Sequence, residues 1–360
     1  MKRIKILIIN PFGIGDVLFS TPLIRALKKK YPDSSITYIC NKRSYDILKN
    51  NPHISNIYIC EKDDYRRLWA ESRLGLVKEL SSLINNLRQD SYDMVFDMSL
   101  GYIYSLVLLF FVGIPIRVGF NYRKRGRFLT HKVTIDGFNK KHVIEYYMEL
   151  GGLLGLDISD KEMELSIGQE DRVWAERYLR EQGVSKDELV CGIIPGCGAS
   201  WGVHANYRRW STWKFAEVAD YIASHYEHRI LIFGEEKERE LCMRTQSEMK
   251  TPAIQLCGET KLSQFSALLD RCDIVITNDG GPLHMAVALK KKTVSIFGPV
   301  NEYNYGPYPP EDRNIVVATQ EACRPCYKNF KHRECSSLEC LANLRPDKVI
   351  KAVDTLLKRG

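Results

Sequence analysis

The feature that most constrains this chain is a pattern repeated in both halves: a short apolar run, a loop of small residues, then a helical period of ten or more residues. In the first half the apolar runs are 4–9 (IKILII), 35–40 (SITYIC), 57–59 (IYI), 94–97 (MVFD) and 117–120 (RVGF). In the second half they are 190–195 (VCGIIP), 230–233 (ILIF), 254–256 (IQL), 274–277 (IVIT) and 294–297 (VSIF). Strands buried on both faces read as continuous apolar runs, and strands separated by helices pair in parallel. The expected fold is therefore α/β: two Rossmann-like, doubly wound lobes facing a central cleft.

A chain of 360 residues accommodates two such lobes, since domains usually run to about 100–200 residues. Residues 156–172 carry many charges and no strong strand, which places the linker there and the lobes at 1–165 and 166–345. Residues 346–360 form a last amphipathic helix after Pro346. The start MKRIKILIIN has an apolar run broken at Asn10-Pro11, too short for a secretory signal, so the protein is expected in the cytoplasm. The longest apolar stretch, 103–119, is broken by Gly113 and Pro115 and falls short of the roughly 20 residues that span a bilayer. A buried helix leading into the strand at 117–120 is expected there, rather than a segment dipping into a membrane.

The net charge is +8, and the cationic clusters lie in the first half: Lys28-Lys29-Lys30, Arg123-Lys124-Arg125-Gly126-Arg127 and Lys140-Lys141-His142. They read either as a solvated face or as a patch for phosphate-bearing substrates or an anionic membrane surface. Nucleic acid is not an expected partner, because no nucleic-acid motif and no interleaved stacking aromatics accompany them.

Open α/β sheets bind ligands at the carboxyl ends of their strands, and three loops there are unusual. The first, after 4–9, contains Gly13, Gly15 and Asp16. It fails the dinucleotide fingerprint, which needs glycine where Leu18 stands. Thr21-Pro22 reads as the start of the following helix with Thr21 as its cap, leaving Asp16 in the loop and available for chemistry. The second is Asn278-Asp279-Gly280-Gly281-Pro282-Leu283-His284. Two glycines and a proline open a helix whose free N–H groups suit a diphosphate, with His284 in its first turn. The third runs through Gly196, Cys197, Gly198, Ala199, Ser200 and Trp201 to Arg208 and Arg209. One of these arginines is expected to pair with a phosphate; the other reading makes them surface residues beside a helix capped by Ser211.

Taken in order, these loops resemble the ADP-heptose:lipopolysaccharide heptosyltransferases, glycosyltransferase family 9. The resemblance rests on residues 10–18 (NPFGIGDVL), 113–120 (GIPIRVGF) with the basic run after it, 279–284 (DGGPLH) and 297–299 (FGP). It implies the GT-B fold, with the acceptor on the first lobe, the nucleotide-sugar on the second, and a last helix placed to cross back to the first. It also implies Asp16 as the general base. Gly198, Ser200, Arg208, Asp279, Gly280, Gly281 and His284 would hold the donor, and Gly13, Gly15, Arg123 and Arg125 would lie on the acceptor side. Family members often carry a threonine pair in the third loop where this chain has Ala199-Ser200-Trp201, and that departure bears on which sugar is carried. The implied partners are an ADP-sugar and an anionic glycolipid of the lipid A–Kdo core at the cytoplasmic face of the inner membrane. The implied reaction inverts the anomeric centre with a single base. No D-x-D pair occurs in the chain, so no metal cofactor is expected for catalysis.

Four of the eleven cysteines, Cys323, Cys326, Cys335 and Cys340, fall close together with His332 among them. Their C-x2-C and C-x4-C spacing resembles a small structural zinc knuckle with a short middle gap; reduced thiols, disulfides or a cluster are the other readings. Lying outside the three loops in sequence, they are expected to take no direct part in sugar transfer. Two other readings stand beside the transferase. One is a nucleotide-dependent oxidoreductase, against which the missing fingerprint counts; the other is a non-catalytic sugar-nucleotide or glycolipid binding protein on the same fold.

Overall fold

In the computed structural model residues 3–61, 67, 70–100 and 112–358 are described. The chain forms two compact units, Met1–Ser166 and Ile167–Gly360. In the first, β1 (Lys5–Ile9), β2 (Ser35–Cys40), β3 (Asn56–Ile59), β4 (Met94–Asp97), β5 (Ile116–Tyr122) and β6 (His131–Ile135) make one sheet. Its order is β3-β2-β1-β4-β5-β6, with every pairing parallel. In the second, β7 (Val190–Ile194), β8 (Arg229–Ile232), β9 (Ala253–Gln255), β10 (Ile274–Asn278), β11 (Lys292–Phe297) and β12 (Asn314–Ala318) take the order β12-β11-β10-β7-β8-β9, again all parallel. Counted from their own first strands, the two sheets have one winding. Each begins in the middle, builds outward for three strands, then crosses over and builds the other side. The order reverses between β1 and β4 and between β7 and β10, and such switch points are where doubly wound sheets bind ligands.

The central strands are apolar along their whole length because both faces are covered. Ile6, Ile8 and Val95 in the first unit and Ile193, Ile276 and Ile296 in the second are fully buried. The edge strands β6 and β12 have no counterpart among the apolar runs of the sequence. His131, Lys132 and Asn314 interrupt them, and only one residue of each strand is buried. The buried helix expected before β5 falls largely on residues 101–111, outside the described residues; β5 itself covers the strand expected at 117–120. Among the described residues no helix is long and apolar enough to cross a membrane.

Three local expectations are revised. The helix before Pro22 starts earlier than expected: Ile14–Phe19 is already helical, and Asp16 stands in its first turn rather than in a loop. Thr21 does not cap; its hydroxyl donates to the Leu18 carbonyl at 2.7 Å and accepts the Glu164 N–H at 2.9 Å. The lysine cluster 28–30 is not a free anion patch. Lys29 pairs with Asp157 at 2.7 Å, and Lys30 donates to the carbonyls of Leu154 and Gly155. Arg25 adds a two-pronged contact to Asp160 at 2.8 and 2.7 Å. These cations fasten residues 154–162 to the helix Thr21–Lys30. Hydrogen bonding from Lys29 holds the Asp157 carboxyl below the usual range, and Arg25 does the same for Asp160. The third revision concerns the last helix, Pro346–Leu357. Its apolar face (Val349, Val353, Leu356) lies in the core of the second unit with Phe215 and Ile296.

Candidate active site

At the switch point of the second unit, Asn278 ends β10 fully buried. Its amide donates to the carbonyls of Pro195 at 2.8 Å and Gly196 at 3.1 Å, and its oxygen accepts the Trp210 N–H at 3.1 Å. One side chain thus ties together the ends of β7 and β10 and the peptide just after Arg209. The loops approach so closely that a Cβ on Gly280 would lie 2.5 Å from the Cys197 carbonyl. Gly280 is extended (φ 167°), so glycine is needed there for space and not for a left-handed backbone.

The loop after β7 is braced from behind by a residue the sequence reading passed over. Glu238 is buried, and its Oε1 accepts the N–H groups of Cys197 at 3.1 Å and Gly198 at 3.3 Å and one guanidinium nitrogen of Arg209 at 2.8 Å. Gly196 makes room, since a Cβ there would lie 2.3 Å from that carboxyl. The Gly198 N–H is therefore committed to a protein carboxylate. Arg209 is a member of this brace rather than a surface residue. Ser211 stands at the N-cap of the helix Thr212–Tyr226 without a side-chain capping bond.

Arg208 and Asp279 meet as a buried ion pair: a guanidinium nitrogen is 2.8 Å from the carboxylate, and the two residues are 7% and 3% exposed. Two residues singled out separately in sequence are thereby brought into one pair. Burial pushes the Asp279 carboxyl up against the pull of Arg208. On Arg208, burial opposes the charge but the facing carboxylate prevails, and the guanidinium is held protonated. Gly281 opens the eight-residue helix Gly281–Ala288 with Pro282 in its first turn, and His284 is buried in it. The N-terminus of this helix follows directly on Asp279, the partner of Arg208, and a helix N-terminus beside a guanidinium is chemistry that suits an anion. The backbone of Ser200 lies in the helical turns Ala199–Arg208; its side chain is outside the described residues.

At the switch point of the first unit, the buried Asn10 plays the part that Asn278 plays in the second. Its amide donates to the Asp16 carbonyl at 3.0 Å and its oxygen accepts the Phe12 N–H at 3.3 Å. Asn41, at the end of β2, donates to the Phe12 carbonyl at 2.6 Å. Gly13 is the N-cap of the helix Ile14–Phe19, in which Gly15 and the half-buried Asp16 form the first turn. Beyond β5, Arg123, Lys124, Arg125 and Arg127 are all exposed, and among the described residues none has an ion-pair partner. Their turn is tied from within: Asn121 accepts the Gly126 N–H at 3.1 Å, and Arg123 and Lys124 hold left-handed backbones at φ 51° and 60°.

The cysteine segment departs from its expectation in its surroundings. Among the described residues no three His, Cys, Asp or Glu side chains are gathered as metal ligands. The Cys335 sulfur accepts the Leu338 N–H at 3.4 Å, the Cys326 thiol donates to the Cys323 carbonyl at 3.1 Å, and Cys340 is buried in the core. Nor is the segment remote from the loops. Arg324 donates to the Gly298 carbonyl at 2.6 Å and pairs with Glu302 at 2.8 Å, while the Cys326 and Tyr327 N–H groups bind the Pro299 carbonyl. The His332 ring lies 4.1 Å from that of His204 and 5.6 Å from that of Tyr207, next to Arg208.

Comparison with known proteins agrees with this geometry. The profile of "Glycosyltransferase family 9 (heptosyltransferase)" matches residues 80–336. Lipooligosaccharide heptosyltransferase 2 of Campylobacter jejuni is 26% identical over 364 residues, covering 99% of each chain. A family 9 glycosyl transferase from Veillonella parvula superposes with a TM-score of 0.82 at 24% identity, over 99% of this chain and 97% of that one. The E. coli ADP-heptose lipopolysaccharide heptosyltransferase II does so with a TM-score of 0.76 at 22% identity, over 99% of both. These likenesses give the GT-B fold, and a family match across most of the length, at switch points built as described, makes this chain a member of glycosyltransferase family 9.

Proposed function

We propose that this glycosyltransferase moves a heptose from ADP-heptose to the lipopolysaccharide core, with inversion at the anomeric carbon and without a metal ion. The observation that carries the reading is the buried Arg208–Asp279 pair beside the helix opened by Gly281. Charge builds on the leaving diphosphate as the glycosidic bond breaks. A fixed guanidinium and a helix N-terminus that need not reorganise are the means of stabilising it. Asp279 holds Arg208 in place and lies where it can also meet the sugar; Gly280, Gly281 and His284 complete the donor side, with Gly198 and Ser200 bordering it.

On the acceptor side, Asp16 takes the proton from the attacking hydroxyl as the new bond forms, and Asn10 fixes the turn that carries it. One base suffices for a single displacement, so no enzyme nucleophile is required. Gly13 and Gly15 keep the approach to Asp16 clear. Arg123 and Arg125 supply charge for the phosphates and carboxylates of an anionic glycolipid. Metal independence is supported by the absence of a D-x-D pair together with a cationic alternative, Arg208, for the diphosphate.

The test is a panel of sugar nucleotides incubated with a lipopolysaccharide core acceptor and EDTA, comparing the wild type with Asp16→Ala. The expected result is nucleoside diphosphate released from ADP-heptose only when acceptor is present, with turnover falling about 10²–10⁴-fold in the variant. Turnover with another donor would move the sugar assignment, and the loop at Ala199-Ser200-Trp201 is where the difference would be sought. Full activity in Asp16→Ala would remove it as the base; donor binding without turnover would favour a binding protein.

A further inference from the structure

Asp16 stands on a helix that needs outside help to hold its place. Ile14–Phe19 is six residues long and begins at Gly13 without a side-chain cap, whereas a helix below roughly 12 residues is marginal on its own. Three consecutive carbonyls of this helix are each taken by a buried side chain. Asn10 donates to the Asp16 carbonyl at 3.0 Å, Ser20 to the Val17 carbonyl at 2.7 Å and Thr21 to the Leu18 carbonyl at 2.7 Å. Asn10 is anchored at the end of β1, but Ser20 only closes the helix it follows and needs a hold elsewhere. It has one: its Oγ lies 2.8 Å from the Tyr38 hydroxyl. Tyr38 stands within β2, in register with Ile8 of β1, and both Tyr38 and Ser20 are fully buried. The Ser20 proton is committed to Val17, so the Tyr38 hydroxyl is the donor in that pair. Burial above all pushes the phenol well up, against the pull of Ser20 and Asn10, and the nearby Asp16 charge adds to the rise. It therefore stays a neutral donor.

We propose that Tyr38 is a positioning residue for Asp16: through Ser20 it fixes the helix Ile14–Phe19 on the sheet and so aims the carboxylate at the acceptor hydroxyl. This rests on Asp16 being the base. Phenylalanine would fill the same space in the core; what tyrosine adds is the hydroxyl that holds Ser20. Asp16 is then fastened from two strands, by Asn10 at its own carbonyl and by the Tyr38–Ser20 relay at the next residue.

Steady-state kinetics of the full-length protein with ADP-heptose and a lipopolysaccharide core acceptor test this. Tyr38→Phe is expected to lower kcat about 10- to 100-fold, as a small misplacement of a reacting group does, and to leave KM for ADP-heptose unchanged. In an Asp16→Ala background the same substitution should leave the residual rate unaltered, because no carboxylate remains to be aimed. Tyr38→Phe with Ser20→Ala strands no buried polar group, since the Val17 carbonyl keeps the Ser20 N–H at 3.1 Å. Its urea midpoint should match the wild type while its turnover stays as low as that of Tyr38→Phe. Wild-type kcat in Tyr38→Phe, an equal loss in both backgrounds, or recovery of turnover in the double variant would each overturn the positioning role and leave Asp16 as the base. An Asp16→Ala protein as active as the wild type would instead overturn the base, and the role of Tyr38 with it.

Discussion

A buried guanidinium facing a buried carboxylate adds little net stability as a pair and is costly to break. Removing one partner strands the other charge away from water, typically at about 3–5 kcal/mol, whereas replacing both with apolar side chains is often near neutral. Arg208→Ala is therefore expected to lower stability by that order and to abolish donor binding. Arg208→Met with Asp279→Leu is expected to restore the unfolding midpoint without restoring turnover. Urea denaturation and donor titration on the same samples separate the two effects, and recovery of turnover in the double variant would show the pair to be structural only. Asp16, Arg208 and Asp279 were legible because each follows an apolar run, and the chemistry of parallel sheets sits at strand ends. Their pairing was not legible, since contact between Arg208 and Asp279 depends on Asn278 drawing two loops together. Glu238 was hidden for a different reason. It lies in the charged run Glu235-Glu236-Lys237-Glu238-Arg239-Glu240, which reads as solvated surface, and only the missing side chain of Gly196 lets it be buried.

At the scale of elements, sequence periodicity reported ten of the twelve strands among the described residues and missed β6 and β12. Both are edges with one buried residue each, interrupted by His131, Lys132 and Asn314, so no continuous apolar run announces them; the other two edges, β3 and β9, keep short apolar runs and were legible. The short helix Ile14–Phe19 was missed because Gly13 begins it without a side-chain cap. The charged stretch read as a linker is fastened in its first part by Arg25 and Lys29. That clamp has a pH signature. Asp157 and Asp160 are held below the usual carboxylate range in the folded chain, so the unfolded chain binds protons first as pH falls. Their contribution is complete above the unfolded value near 3.9 and is lost as pH drops through the folded values. These are exposed pairs, so solvent screening keeps their contribution small. The stability difference between the wild type and Arg25→Ala, measured by urea midpoints, is expected to be present at about pH 6 and to shrink toward about pH 2. A difference independent of pH would assign the clamp to the Arg25 contact with the Glu162 carbonyl instead.

Across the whole molecule, charge is divided unevenly. Residues 1–166 hold 25 Lys and Arg against 18 Asp and Glu, while residues 167–360 hold 27 against 26. The excess belongs to the first unit, and once the lysines of 28–30 are accounted for internally, the turn after β5 is its most concentrated exposed part among the described residues. A glycolipid substrate would present anionic groups at a membrane surface, where each Lys or Arg adds about 1 kcal/mol of attraction. In flotation assays the protein is expected to rise with anionic liposomes at low salt and to be released at high salt. Arg123→Ala with Arg125→Ala should weaken that binding by about fivefold per residue. Equal flotation with neutral liposomes would count against an electrostatic contact. The packing of the helix Pro346–Leu357 bears on the second unit in another way. Val349, Val353 and Leu356 are buried at 0–2% exposure, so this helix is one wall of that core. Ribosomal synthesis must then pass Leu357 before the second unit can close, and a nonsense codon just ahead of Pro346 is expected to yield an insoluble product rather than a slightly shortened enzyme.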